Sequence, residues 1–258
     1  MIEEPYRWVE AIANRREYIE TQLAAGSPIA ALTYSEGILF LTLGRARQKI
    51  FEIYDRIAMG AIGHPGDIER LRMAAIELAS TEGFTRSAAD VSLRRLAHYS
   101  LSPVMKGAFE QVYSAPYLAR LLFAEIGNQP EADLFLRVEY DGAIATNGTT
   151  ASQTQQHFAT LSATKQSAEM METFLRGKYS VAGNLAEAVN LALDVWAVGH
   201  MTGAENDTKE VPSADAIAKH RREELGQRGV EAAVLERDSR TAIRYRPLLD
   251  NEVRDLIH

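Results

Sequence analysis

Residues 27–63, SPIAALTYSEGILFLTLGRARQKIFEIYDRIAMGAIG, constrain the fold more than any other part of the chain. Two apolar runs, 28–34 and 37–42, flank the turn Tyr34-Ser35-Glu36-Gly37 and predict paired strands. A polar loop follows, then Lys49-Ile50, an acidic and aromatic segment, and a third apolar strand that ends on Gly63. The 26 residues in front read as a helix over 6–24. Trp8, Ile12, Ile19 and Leu23, broadened by Val9 and Ala13, recur at helical spacing on one face. Pro5 suits the first turn, and Gly26 reads as a helix stop that tolerates positive φ.

Beyond Gly63, His64-Pro65-Gly66-Asp67 is a turn and N-cap, and Ile68, Leu71, Ala75 and Leu78 open a helix that Gly83 is expected to end. Ser87 or Asp90 caps a second helix carrying Val91, Leu93 and Leu96, which Pro103 kinks. Strands return at 117–126 and 133–140, and Tyr140-Asp141-Gly142 marks a hairpin with a short strand over 143–146. Residues 147–156 read as a polar loop, 157–163 as a strand, and 164–177 and 184–199 as helices, the latter capped by Asn184. The segment 201–228 is polar, with a short helix over 213–226, and strands at 229–236 and 241–246 precede a final helix around 248–257. No internal repeat or linker divides the chain, so residues 1–258 are expected to form one domain of two sheets stacked between helical layers.

Composition narrows the functional classes. A net charge of −7 argues against a general nucleic-acid binder, which needs a basic face. There is no run of about 18 apolar residues and the acidic N-terminus lacks an apolar signal core, so no membrane contact is expected and the location is expected to be cytoplasmic. Cysteine is absent, which removes disulfide and thiolate chemistry. The six histidines, His64, His98, His157, His200, His220 and His258, show no paired spacing such as HxxxH. Each is expected at the surface or in a cap, and no metal or cofactor is expected. The run Lys219–Arg222 reads as a solvated helical face, and Trp196 and Met170-Met171 as core or subunit contacts.

The helix 6–24, the segment Ser27–Thr42, QKIFEIYDRIAMGAIG at 48–63, Asp90-Val91, Tyr140-Asp141-Gly142 and VEAAVLERDSRTAIRYR at 230–246 stand in an order that resembles the proteasome family of N-terminal-nucleophile hydrolases, nearest its bacterial α-type subunits. The resemblance implies an α+β, four-layer αββα sandwich with an N-terminal helical extension. It implies a non-catalytic ring subunit, heptameric, that assembles with β-type subunits and serves protein degradation. Its N-terminus, Met1, Ile2, Glu3 and Glu4, would gate the entry of unfolded protein substrates, and a ring-shaped AAA ATPase would dock on the outer face. Two departures stand out: Leu161-Ser162-Ala163 replaces a turn of small residues, and 201–228 is longer than the family pattern.

The family's peptidases need an N-terminal threonine whose free amine serves as base, an aspartate closing the second strand, and a lysine entering the third. The matching positions here are Ser27, Leu43 and Lys49. Leu43 cannot orient a proton relay, and the peptide bond before Ser27 occupies its nitrogen. The competing reading is a self-processing amidase or peptidase in which cleavage at Gly26-Ser27 frees Ser27 as nucleophile; a third is a relative that forms rings only with its own kind. The resemblance gives Lys49 another role, pairing with the terminal carboxylate of an ATPase tail in a pocket between neighbouring subunits on the outer ring face, with Gly63 as the pocket-floor glycine; the alternative is a solvated strand lysine and a strand-end glycine. Helix 6–24 is expected to find no core of its own chain left to cover and to be covered by neighbouring copies.

Overall fold

The computed structural model describes residues 5–44, 47–111, 114–146, 157–180, 183–203 and 210–257, with the backbone alone for 5–7. Strands β1 (Ile29–Tyr34) and β2 (Gly37–Gly44) form the expected hairpin and are buried along almost their whole length. The reason is that both faces are covered, so apolar residues need not alternate with polar ones. Ile29, Ala31, Ile38 and Phe40 face a second sheet, whereas Ala30, Leu32, Leu39 and Leu41 face helices.

β1 and β2 belong to a five-stranded antiparallel sheet in the order β10-β9-β2-β1-β8, with β8 Phe158–Leu161, β9 Gly229–Glu236 and β10 Tyr245–Pro247. The second sheet runs β3-β4-β5-β6-β7: Ile50–Tyr54, Ile57–Gly63, Ala119–Glu125, Leu134–Val138 and Ile144–Thr146. Leu122, Ala124 and Phe135 meet the first sheet across the central core. Helices α2 (Pro65–Thr85), α3 (Leu93–Leu96) and α4 (Ser102–Glu110) pack on the outer face of the second sheet. Helices α5 (Lys165–Lys178), α6 (Leu185–Met201), α7 (Ala214–Leu225) and α8 (Asp250–Leu256) cover the first. The chain is therefore the α+β sandwich of four layers that its sequence resembles.

Local departures have local causes. The acidic and aromatic segment after Lys49 is strand β3, whose Glu52 is tolerated because β3 is the sheet edge and bulges between Glu52 and Tyr54. Gly83 lies inside α2, which continues to Thr85. Ser87 caps only a 3₁₀ turn, Ala88–Asp90, and Ser92 caps α3. A π-helical turn, Ala97–Leu101, stands immediately before Pro103, where a wider turn accommodates the missing N–H. The corner at Leu161-Ser162-Ala163 is polar: Ser162 donates to Ser167, and Ser167 to the Gly199 carbonyl.

Helix α1 (Pro5–Leu23) divides into two parts. Contrary to expectation, its C-terminal half covers its own chain: Ile19 and Leu23 are buried against Phe109 and Tyr140. Glu20 accepts from Arg120 at 2.6 and 2.7 Å and from the Tyr140 hydroxyl at 2.8 Å. Arg120, nearly fully buried, also donates to Glu139 at 2.8 Å and to the Ala163 carbonyl. The N-terminal half projects outward, with Trp8 46% and Val9 68% exposed. Gly26 does not have the positive φ expected of a helix stop; a Cβ there would lie 2.1 Å from Ile62 Cγ2, so close packing requires the glycine.

Candidate functional site

Lys49 stands at the entry to β3, and its carbonyl accepts from Ala61 N at 3.0 Å, which fixes the backbone against β4. The amides of Lys49 and Ile50 donate to the Glu231 carboxylate at 2.7–3.0 Å. Glu231 lies on β9 opposite Thr42 and so clamps the start of one sheet to the other. Its oxygens serve those backbone donors. Among the described residues the Lys49 ammonium forms no ion pair. Burial lowers the Lys49 pKa to about 8, against an opposing attraction from Glu231 and with a smaller contribution from Arg228. Burial likewise raises Glu231, and its two backbone hydrogen bonds pull it back down.

The Lys49 side chain borders a cleft of about 490 Å³ between the end of α1 and the start of α2, and Gly63 lines the same cleft. Gln22, Ala25, Phe51, Pro65 and Glu69 supply other parts of its wall. The two residues singled out for docking thus share one concavity of a size suited to a short peptide end. Gly63 itself has another reason to be glycine. Its φ is +142°, and a Cβ would lie 2.0 Å from the Leu118 carbonyl at the approach to β5. The missing side chain makes room for the chain's own backbone first.

Ser27 is almost buried between α1 and β1. Its hydroxyl donates to the Leu43 carbonyl at 2.6 Å and accepts from Trp196 Nε1 at 2.9 Å. Among the described residues no imidazole, amine or carboxylate bonds it. Leu43 is buried in the apolar layer beneath α6. Met1, Ile2, Glu3 and Glu4 lie outside the described residues.

The histidines correct the sequence reading. His64 does cap α2, accepting from Gly66 N, and His98 is exposed. His200 and His220 are half-buried and cap no helix: their near-parallel rings lie edge to edge, with centroids 5.1 Å apart, and join through Nδ1 and Nε2 at 2.9 Å. His200 also stacks on Trp196 at 4.7 Å, and Arg228 approaches its Nε2 at 3.2 Å. A guanidinium can only donate, so Nε2 accepts and the Nδ1–H of His200 points at His220. Burial, then Arg228, lowers the His200 pKa. These rings border a second cleft, of about 650 Å³, beside Ser27. The basic run on α7 is not wholly solvated either, since Arg221 pairs with Asp194 at 3.0 Å.

Glu231 and Arg228 escaped sequence reasoning because nothing local marks them; Glu231 reaches Lys49 from 182 positions away. The pair His220 and Glu224, one helical turn apart, carried a signal that a search for HxxxH passed over.

No protein-family model matches the chain. Curated relatives do. Proteasome subunit alpha of Kineococcus radiotolerans is 31% identical over 198 residues, which covers 76% of this chain and 77% of that protein. Proteasome subunit alpha of a Nocardioides species is 30% identical over 208 residues, 80% and 75% of the two chains. That of Mycolicibacterium vanbaalenii is 32% identical over 203 residues, 77% and 74%. Among the described residues no helix is long and apolar enough to cross a membrane.

Proposed function

Since this chain belongs to the proteasome α-subunit family, we propose that it is a non-catalytic, cytoplasmic ring subunit. In this reading it assembles as a heptamer, stacks on β-type subunits, gates the entry of unfolded protein through residues 1–4, and docks a ring-shaped AAA ATPase at Lys49. The observation that carries the docking is the half-buried Lys49 ammonium on a cleft wall, with its nearest acidic neighbour committed to backbone amides. An ammonium so placed lacks a close counter-charge. A peptide's terminal carboxylate entering the cleft would supply one through a charge-assisted bond, and the apolar wall would accept the preceding side chains.

The absence of catalysis in this subunit rests on two features. Ser27 has its nitrogen in a peptide bond and its hydroxyl committed to Leu43 and Trp196, and a leucine stands where the proton relay would need a carboxylate. Co-production with a threonine-initiated β-type partner tests the whole reading. Particles that contain both chains should cleave peptides and should bind ATPase tails ending in a free carboxylate but not tails ending in an amide. Failure of the two chains to co-assemble would refute the stacking on β-type subunits and favour a relative that forms rings only with its own kind. Indifference to the carboxylate would refute the docking assignment.

A further inference from the structure

α7 packs along α6 through the buried Ile217 and the Arg221–Asp194 ion pair. This contact brings His200, on the last turn of α6, against His220 and Glu224, which share one face of α7. One ring nitrogen of each histidine and one carboxylate oxygen of Glu224 all lie within 4.8 Å of one another. We propose that His200, His220 and Glu224 form a binding site for a divalent transition-metal ion of the Zn²⁺ class, which pins α7 to α6 beside the Ser27 connector.

The donor set sets the class of ion. Two imidazoles and one carboxylate suit Zn²⁺, Co²⁺ or Ni²⁺, whereas Mg²⁺ and Ca²⁺ prefer oxygen alone. The rings are held close together in advance, since both lie side by side against the buried Trp196, with centroids at 4.7 and 6.3 Å. His200 Nδ1 and His220 Nε2 face each other at 2.9 Å. A tetrahedral ion with bonds of about 2.0–2.1 Å would spread them to roughly 3.3 Å and turn each ring so that its nitrogen points at the ion rather than at the other ring. The fourth position would open on the cleft and take water.

A cation already serves this cluster. The Arg228 guanidinium forms an ion pair with Glu224 and also approaches His200 Nε2 at 3.2 Å. Metal entry would exchange one cation for another. The Nδ1 proton of His200 moves to Nε2, the freed Nδ1 lone pair and the His220 Nε2 lone pair bind the ion, and Arg228 withdraws from the now protonated Nε2. No proton is gained or lost by the pair of rings in the process.

The test uses the untagged full chain, stripped by a chelator and titrated with Co²⁺, whose visible absorption reports tetrahedral nitrogen ligands, and then with Zn²⁺ by calorimetry. One ion per chain is expected. His220→Gln and Glu224→Gln should each weaken binding by more than about tenfold, since even residues that only orient ligands contribute that much. Arg228→Gln should tighten it, because the competing cation is gone. At the same Zn²⁺ concentration the melting temperature should rise more for the wild type than for Glu224→Gln. Glu224→Gln keeps the size of a half-buried side chain while ending its ion pair with Arg228, so it reads the site even if His220→Gln does not fold. No stoichiometric binding by the wild type, or equal affinity in the wild type and both ligand variants, would overturn the proposal. Weaker binding in Arg228→Gln would overturn it as well.

Discussion

Replacing Lys49 by alanine should separate docking from folding. Burial takes the ammonium from 10.5 to about 8. Keeping it protonated at neutral pH therefore costs the unliganded fold on the order of 3 kcal/mol, at about 1.4 kcal/mol for each tenfold in proton affinity, and less where solvent screens its open side. Lys49→Ala removes that cost, so stability at pH 7 should stay level or rise. The sign has a second consequence. Between pH 8 and 10.5 the folded wild type has released a proton that the unfolded chain still holds, so its stability climbs with pH across that window. The variant should lack the climb. Binding responds in the opposite direction. A carboxylate paired with a desolvated ammonium contributes about 2–5 kcal/mol. The lower end applies to a cleft open on one side, so the Kd of a tail peptide should rise roughly 30-fold in Lys49→Ala. Since the carboxylate selects the protonated lysine, wild-type affinity should fall by about tenfold per pH unit above pH 8. Fluorescence anisotropy of a labelled tail peptide on assembled particles measures both effects, with an amidated peptide as control. Equal Kd values for wild type and Lys49→Ala, or a pH-independent Kd, would refute the reasoning.

Gly63→Ala should destabilise the subunit by roughly 2–4 kcal/mol in denaturant titration, because both the positive φ and the Leu118 carbonyl oppose a Cβ; unchanged stability would mean that the β4–β5 approach can relax. Ser27→Ala should leave peptide cleavage by assembled particles intact while costing about 1–2 kcal/mol of stability, since the Trp196 N–H loses its acceptor; loss of cleavage at normal assembly would instead make Ser27 a nucleophile. Trp8→Ser with Val9→Ser should leave the unfolding midpoint of the isolated subunit almost unmoved and shift native mass spectra from rings toward smaller species; normal ring yield would count against α1 as an assembly element.

The legible parts of the fold were those fixed by near neighbours in sequence. The β1–β2 hairpin followed from two apolar runs and a turn, α6 from its Asn184 cap, and the β6–β7 turn from Gly142, whose φ is +79°. Strand β3 was hidden because an edge strand with a bulge breaks the apolar pattern that marks its neighbours. The site was legible in one residue at a time. Lys49 and Gly63 could be named from the resemblance, but the reason for glycine at 63 lies in Leu118, on a different strand approach. Glu231, Arg228 and the paired histidines depend on which helices and strands become adjacent, and no short window encodes that.

The division of α1 into a docked half and a projecting half has a consequence for the speed of assembly of the proposed ring. A free helix would have to order its backbone during encounter, at about 1–2 kcal/mol for each residue fixed. Here Ile19, Leu23 and the Glu20–Arg120 pair hold the C-terminal turns in place, and the rigid helix fixes where the exposed Trp8 and Val9 stand. With Trp8 and Val9 at the contact between subunits of the proposed ring, collisions would meet a surface whose shape already exists, and the association rate would be set by diffusion and orientation rather than by folding. Weakening Glu20 or Arg120 would therefore slow ring closure before it changed the finished ring.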